Sequence, residues 1–188
     1  MIRIIEDENE QYFDGEKYFA LMDYLLTKCD KVAFCLPNFG TTFNVCCDMD
    51  CTQKYESIKE TLDRDNAKFF SYKEKVKPLL QSLENKIIKI WRHNEYFDQK
   101  CNYEKEIYLI KFDEETVSIF KTIGGLDKWC HPDLPEDLYF FAGSECYFAM
   151  TSHECEYEIY DDSDEIADFL SELSVDFDDY DSSKAPSL

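Results

Sequence analysis

Ser152, His153, Glu154 and Cys155 place a hydroxyl, an imidazole, a carboxylate and a thiol in four consecutive residues of TSHECEYEIY, residues 151–160. These are the groups of a nucleophile with its base and orienting acid, or of a metal-binding set. Backbone geometry decides whether they can cooperate. Read as one strand over 146–160, the segment sends Thr151, His153, Cys155, Tyr157 and Ile159 to one face. Ser152, Glu154, Glu156 and Glu158 go to the other. The first set is mostly apolar and is expected in the core; the second is expected in water. Ser152 and Glu154 then point away from His153, whereas each member of a catalytic relay must reach the next by a hydrogen bond. His153 and Cys155 share a face but lie about 7 Å apart along it, long for a direct pair. No catalytic residue is assigned, and the roles of His153 and Cys155 stay open between structural and functional.

Cys46, Cys47 and Cys51 form a second candidate, three thiols in CCDMDC. Cys47 and Cys51 have the spacing of half a zinc site, but no second pair follows. Cys130-His131 could complete it only if folding brought the two segments together. A reactive thiolate needs a positive environment, and the acids between these cysteines supply the opposite. With nine Cys and three His (His93, His131, His153), a thiol–imidazole pairing could arise by accident. Gly124-Gly125 stands alone, without the pattern of a phosphate loop. The expectation is no metal and no cofactor. A small thiol- or zinc-dependent enzyme or metalloprotein using Cys47, Cys51, His131 or His153 is the rival reading.

Charge separates the function classes more sharply. The 188 residues carry 20 Lys and Arg against 41 Asp and Glu, a net charge of −21. Between Lys128 and Lys184 there is no Lys or Arg, while 17 acids fall in the same interval. Such a field repels nucleic acid and anionic membranes and speeds encounter with a basic protein. Direct nucleic-acid binding and membrane association are therefore not expected. The candidate partner-binding residues are Glu154, Glu156, Glu158, Tyr160, Asp161, Asp162, Asp164, Glu165 and Asp168. Tyr157, Tyr160, Phe177 and Tyr180 supply aromatic anchors among the acids. The opening MIRIIEDENEQ has neither the basic stretch nor the apolar run of a secretory signal. A cytoplasmic protein with reduced thiols is expected.

These groups must be positioned by a fold. Tyr18, Leu21, Met22, Leu25, Leu26 and Cys29 recur at helical spacing over 16–29, with Asp14 placed to cap. KVAFCL (31–36) reads as a strand ended by Pro37, with Thr41–Cys46 able to pair back on it. Tyr55, Ile58 and Leu62 mark one face of a short helix. A helix over 74–84 is expected to start near Pro78. KIIKIWRHNEYF, KEIYLIKF and TVSIFKTI read as strands, the last two joined by the turn Asp113-Glu114-Glu115. LYFF and CYFAMTS flank Ala142-Gly143-Ser144-Glu145 as a further hairpin. DSDEIADFLSELSV reads as a helix with a capping box at Asp162 and Glu165 and a stripe of Ile166, Phe169, Leu170 and Leu173. The expected class is α+β, a largely antiparallel meander sheet in the C-terminal half, packed by N-terminal helices and one C-terminal helix. Residues 1–175 form one domain on this reading, followed by an acidic tail over 176–188 expected to be mobile.

One stretch resembles a known group. Pro135-Glu136-Asp137-Leu138, Phe140-Phe141, Gly143, Cys146-Tyr147, His153-Glu154 and Ile159-Tyr160 resemble the shared pattern of a family of small uncharacterised bacterial proteins, with Tyr147 where a Trp is expected. The resemblance implies bacterial origin and a hairpin ending in a strand, and no catalytic residue. With the charge pattern, it leads to the expectation of a non-enzymatic acidic binding protein. It would act as immunity-type inhibitors do, neutralising a basic toxin or nucleic-acid-binding protein.

Overall fold

The computed structural model describes residues 1–5, 12–38, 67, 70–96, 99–152, 154–161, 163–179, 186 and 188, with side chains at all of these but 5, 37–38, 93–96, 99–104 and 179. In chain order the elements are β1 (Ile2–Ile5), α1 (Gly15–Lys28), β2 (Lys31–Asn38), α2 (70–82), β3 (Ile87–Tyr96) and β4 (Gln99–Lys111). They continue with α3 (Glu114–Lys121), β5 (Glu136–Ala142), β6 (Glu145–Thr151), β7 (Glu156–Ile159), α4 (Asp164–Glu172) and the two-residue β8 (Asp178–Asp179). The strands form one sheet in the order β3-β4-β2-β5-β6-β7-β1-β8. Every neighbouring pair is antiparallel. The chain thus has the α+β class with the antiparallel sheet that its sequence implies. β3–β4 is a hairpin and β5-β6-β7 a meander, and β2 slots between them.

Alternation along the strands builds two layers of core. Val32, Phe34 and Leu36 of β2, Tyr108 and Ile110 of β4, and Leu138 and Phe140 of β5 meet apolar residues from all four helices. The helical contributions are Tyr18, Leu21, Met22 and Leu25 of α1, Tyr72 and Val76 of α2, Val117 and Phe120 of α3, and Ile166 and Leu170 of α4. The intervening residues Ala33, Cys35, Ile107, Leu109, Tyr139 and Phe141 are buried on the opposite face. A central strand buried on both faces should read as a continuous apolar run, and KVAFCL does.

Several local expectations are corrected. TVSIFKTI is not a strand: its residues fall in α3 and the turn after it. Asp113 caps α3, its Oδ1 accepting the Thr116 N–H at 3.1 Å, with Glu114 and Glu115 in the first turn and Lys121 in the last. Those charges sit where the helix dipole favours them, and they outweigh the β preference of Thr, Val and Ile. α2 runs through Pro78 instead of starting at it. Pro78 is exposed, so water can reach the carbonyl it leaves unbonded. Buried Tyr72, Val76 and Leu83 on either side hold the helix. β2 likewise passes Pro37 to Asn38. The strands at 146–160 are two, not one: β6 and β7 pair in the register Met150↔Tyr157 and Thr151↔Glu156. Ser163, not Asp162, holds the N-cap position of α4, without a side-chain cap bond. Asp162 itself, the 41–46 pairing and the helix through Tyr55, Ile58 and Leu62 lie outside the described residues.

β1 closes the far side of the sheet, with Ile2 opposite Ile159 on one side and Asp179 on the other. Further on, Pro186 O accepts the Cys146 N–H at 2.9 Å and Leu188 N–H donates to Ser144 O at 3.0 Å. Among the described residues, no helix is long and apolar enough to cross a membrane.

Candidate functional site: a buried ion pair and an acidic outer face

The Ser-His-Glu-Cys stretch belongs to the turn that joins β6 to β7. Glu154 N–H donates to Thr151 O at 3.2 Å, and Cys155 takes a left-handed backbone, φ 51°. Ser152 is buried instead of facing water. Its Oγ accepts the Asp137 N–H at 2.7 Å, and its own N–H donates to Asp137 Oδ1 at 3.0 Å. This reciprocal pair pins the turn to the start of β5. His153 lies outside the described residues.

Asp137 owes its position to a bulge. β5 spends three steps from Glu136 to Tyr139 where β2 spends two from Cys35 to Ala33. Asp137 absorbs the extra residue with φ 53°, a conformation Asp tolerates better than most residues. Consecutive strand residues normally face opposite sides, yet here Glu136 and Asp137 are both buried, 1% and 2% exposed. The Cys35 thiol and one oxygen from each carboxylate lie within 4.8 Å of one another. Lys105 of β4, itself 3% exposed, donates from Nζ to Asp137 Oδ2 at 2.7 Å, and Cys35 Sγ approaches the same oxygen at 3.8 Å.

This set has ligand chemistry, since a thiol and two carboxylates suit zinc. Its occupancy argues otherwise. Asp137 already takes Ser152 N–H on one oxygen and the Lys105 ammonium on the other, so a cation would have to displace Lys105. Two other described thiols are not poised as nucleophiles. Burial pushes Cys130 up to about 11, with Glu136, Asp137 and Cys155 adding to it. Burial and Asp30 push Cys29 up to about 12. A thiolate nucleophile needs the reverse. His131 sits in a shallow cleft of about 310 Å³ with Ser71, Tyr72, Lys75 and Pro132. Its ring meets Tyr72 edge-on at 4.9 Å. The Tyr72 hydroxyl is committed to Leu134 O at 2.8 Å. Cys46, Cys47 and Cys51 lie outside the described residues.

A third buried acid stands one strand position from Lys105. Glu106 accepts the Tyr108 hydroxyl at 2.6 Å, Lys73 Nζ at 2.9 Å and Arg92 Nη2 at 3.0 Å. Burial would raise its carboxyl, but the Tyr108 hydroxyl, then Lys73 and Arg92, pull it below the usual carboxylate range. A folded pKa below the unfolded value of about 4.3 gives stability that is full above that value and is lost as pH falls through the folded one. Urea midpoints should therefore fall from pH 5 toward pH 2. In Glu106→Gln the midpoint at pH 7 should drop and the acid slope should flatten. An unchanged slope would show that this carboxylate does not carry the acid sensitivity.

The acidic candidates divide into two groups. Glu156 bonds Arg3 Nη2 at 2.6 Å, and Glu158 accepts the Tyr160 hydroxyl. Tyr160 packs against the apolar face opposite the helices. Asp161 accepts the Tyr147 hydroxyl and the Ser163 N–H, both at 2.9 Å. These four are half-buried and engaged inside the fold. Glu154, Asp164, Glu165 and Asp168 are exposed, Glu165 beside Lys28 at 2.7 Å. Glu172, Asp176 and Asp178, which belong to the wider acidic run and not to the nine named candidates, are exposed as well. The signal for Glu172 was its place four residues after Asp168 on the polar side of the Ile166 and Leu170 stripe.

α4 shows this face most plainly. It lies on α1 through stacked rings of Tyr24 and Phe169, 4.2 Å between centroids. Asp164, Asp168 and Glu172 follow one another at four-residue spacing on its exposed side. Like charges so spaced cost an isolated helix about 0.2–0.5 kcal/mol per pair. Glu172 also sits in a last turn without any basic residue, where the helix dipole disfavours an anion. Compared with known proteins, the chain matches no family model, no curated protein and no solved structure.

Proposed function

We propose that the chain is a non-enzymatic binding protein whose acidic face meets a basic protein, as an immunity-type inhibitor meets a basic toxin or nucleic-acid-binding protein. The observation that carries this reading is α4, where Asp164, Asp168 and Glu172 line one exposed side and Glu172 stands in a last turn that the helix dipole makes unfavourable for an anion. Residues kept against local stability are those expected to do something else. Carboxylates of Asp164, Asp168 and Glu172 would meet Lys and Arg side chains that otherwise hold phosphates, so inhibition would be steric and electrostatic. The reading includes a cytoplasmic setting with reduced thiols.

The test is a pull-down on the full chain from lysate of its native host, washed at low and then high salt and read by mass spectrometry. A stoichiometric basic partner released by salt is the expected result. Capture of no partner at either salt would overturn the proposal and leave the acidity to solubility.

A further inference from the structure

Among the described residues β3 pairs only with β4, so the other side of β3 is an edge of the sheet. That edge is apolar: Ile88 and Ile90 are 52% and 48% exposed. Natural sheets guard such edges with Lys and with bulges. Here the guards are turned aside. Lys89 Nζ lies 4.8 Å over the ring of Trp91 on its own strand. Arg92 reaches to Glu106 on β4 with Nη2 at 3.0 Å and Nε at 3.3 Å. β3 carries a bulge at Ile88, and its register with β4 breaks again between His93 and Glu95 through extra residues on β4, leaving a regular stretch between the two.

We propose that this edge pairs with β3 of a second copy of the chain, joining two sheets across a two-fold axis. An antiparallel register centred on Ile90 sets Ile90 against Ile90 and Lys89 against Trp91 within that stretch, with Ile88, at the bulge, beside Arg92 at its margin. No like charges then face each other, and the Lys89–Trp91 contact can form between copies. The edge is a basic segment in a chain of net charge −21, so it is where two copies approach with least repulsion. The bulge at Ile88 limits the contact on one side of this stretch. A two-fold pairing uses up the β3 edge of both copies, so this contact adds no third chain.

Two chains of the same large charge repel at long range, so salt should strengthen this dimer. A complex through the acidic face with a basic partner should respond in the opposite sense. The test is sedimentation velocity on the full chain from about 1 to about 100 µM in low and high salt. That range brackets the dissociation constant of roughly 10 µM suited to a small interface. Twice the 22.3 kDa chain mass at high salt is expected. Ile90→Lys and Ile88→Lys should each stay at the single-chain mass with an unchanged circular dichroism spectrum, and Ile90→Val should still dimerise. A single-chain mass at every concentration and salt would overturn the proposal and leave the edge to a strand of another protein. A dimer that neither lysine variant splits would overturn it as well, because the contact would lie elsewhere.

Discussion

Asp137→Asn should destabilise the protein by about 3 kcal/mol or more, measured as a lower urea midpoint at unchanged slope. Asn keeps the shape, tolerates the left-handed backbone at φ 53°, and still offers an oxygen to the Ser152 N–H. It removes the negative charge opposite Lys105, whose Nζ is 2.7 Å away and whose side chain is 4% exposed. The loss measures the cost of a buried ammonium deprived of the carboxylate it bonds at 2.7 Å, which exceeds the net worth of the intact pair. Lys105→Met alone should be similarly harmful, since it leaves two buried carboxylates without that ammonium. The double variant Lys105→Met with Asp137→Asn should be markedly more stable than the sum of the two losses implies. Simple additivity would mean that the two side chains do not depend on each other.

Reversing the acids of α4 is the second large effect. Asp164→Lys, Asp168→Lys and Glu172→Lys together should weaken binding to the basic partner by about 100-fold, allowing about 1 kcal/mol for each reversed charge. Most of that loss should appear in the association rate and shrink as salt is added. The fold should survive, since all three positions are exposed and Lys is at least as good a helix former as Asp or Glu. Glu156→Gln is the contrasting variant. Its carboxylate bonds Arg3 at 2.6 Å, so its loss should register in stability before binding. Undiminished binding by the triple variant would remove the acidic stripe from the interface.

The elements were legible wherever burial on one face imposed a period. KVAFCL, KEIYLIKF and CYFAMTS show their strands plainly, and Leu21, Met22 and Leu25 show α1. TVSIFKTI misleads because its β-branched residues describe a strand while Asp113, Glu114, Glu115 and Lys121 describe the ends of a helix. A helix of eight residues depends on its ends. The site was harder to read for a different reason. Pro135-Glu136-Asp137-Leu138 marks the place, but two adjacent acids ordinarily signal a solvated turn, and nothing local says they are buried. That follows from one extra residue in β5 and from a lysine 32 positions earlier in the sequence. The Ser-His-Glu-Cys string, conversely, gains its order from a hairpin turn whose one described buried polar side chain, Ser152, serves the backbone of Asp137.

The position of β1 bears on the order in which the protein assembles. Arg3 and Glu156 bond across a separation of 153 residues, and Ile2 lies between Ile159 and Asp179. During synthesis β1 emerges long before either of its neighbours, β7 and β8. Contacts so distant in sequence are slow to close, and a strand that waits for them exposes its apolar side meanwhile. Ile2 and Ile4 are therefore where a chaperone would gain most by binding the nascent chain, and their burial is a late step in folding.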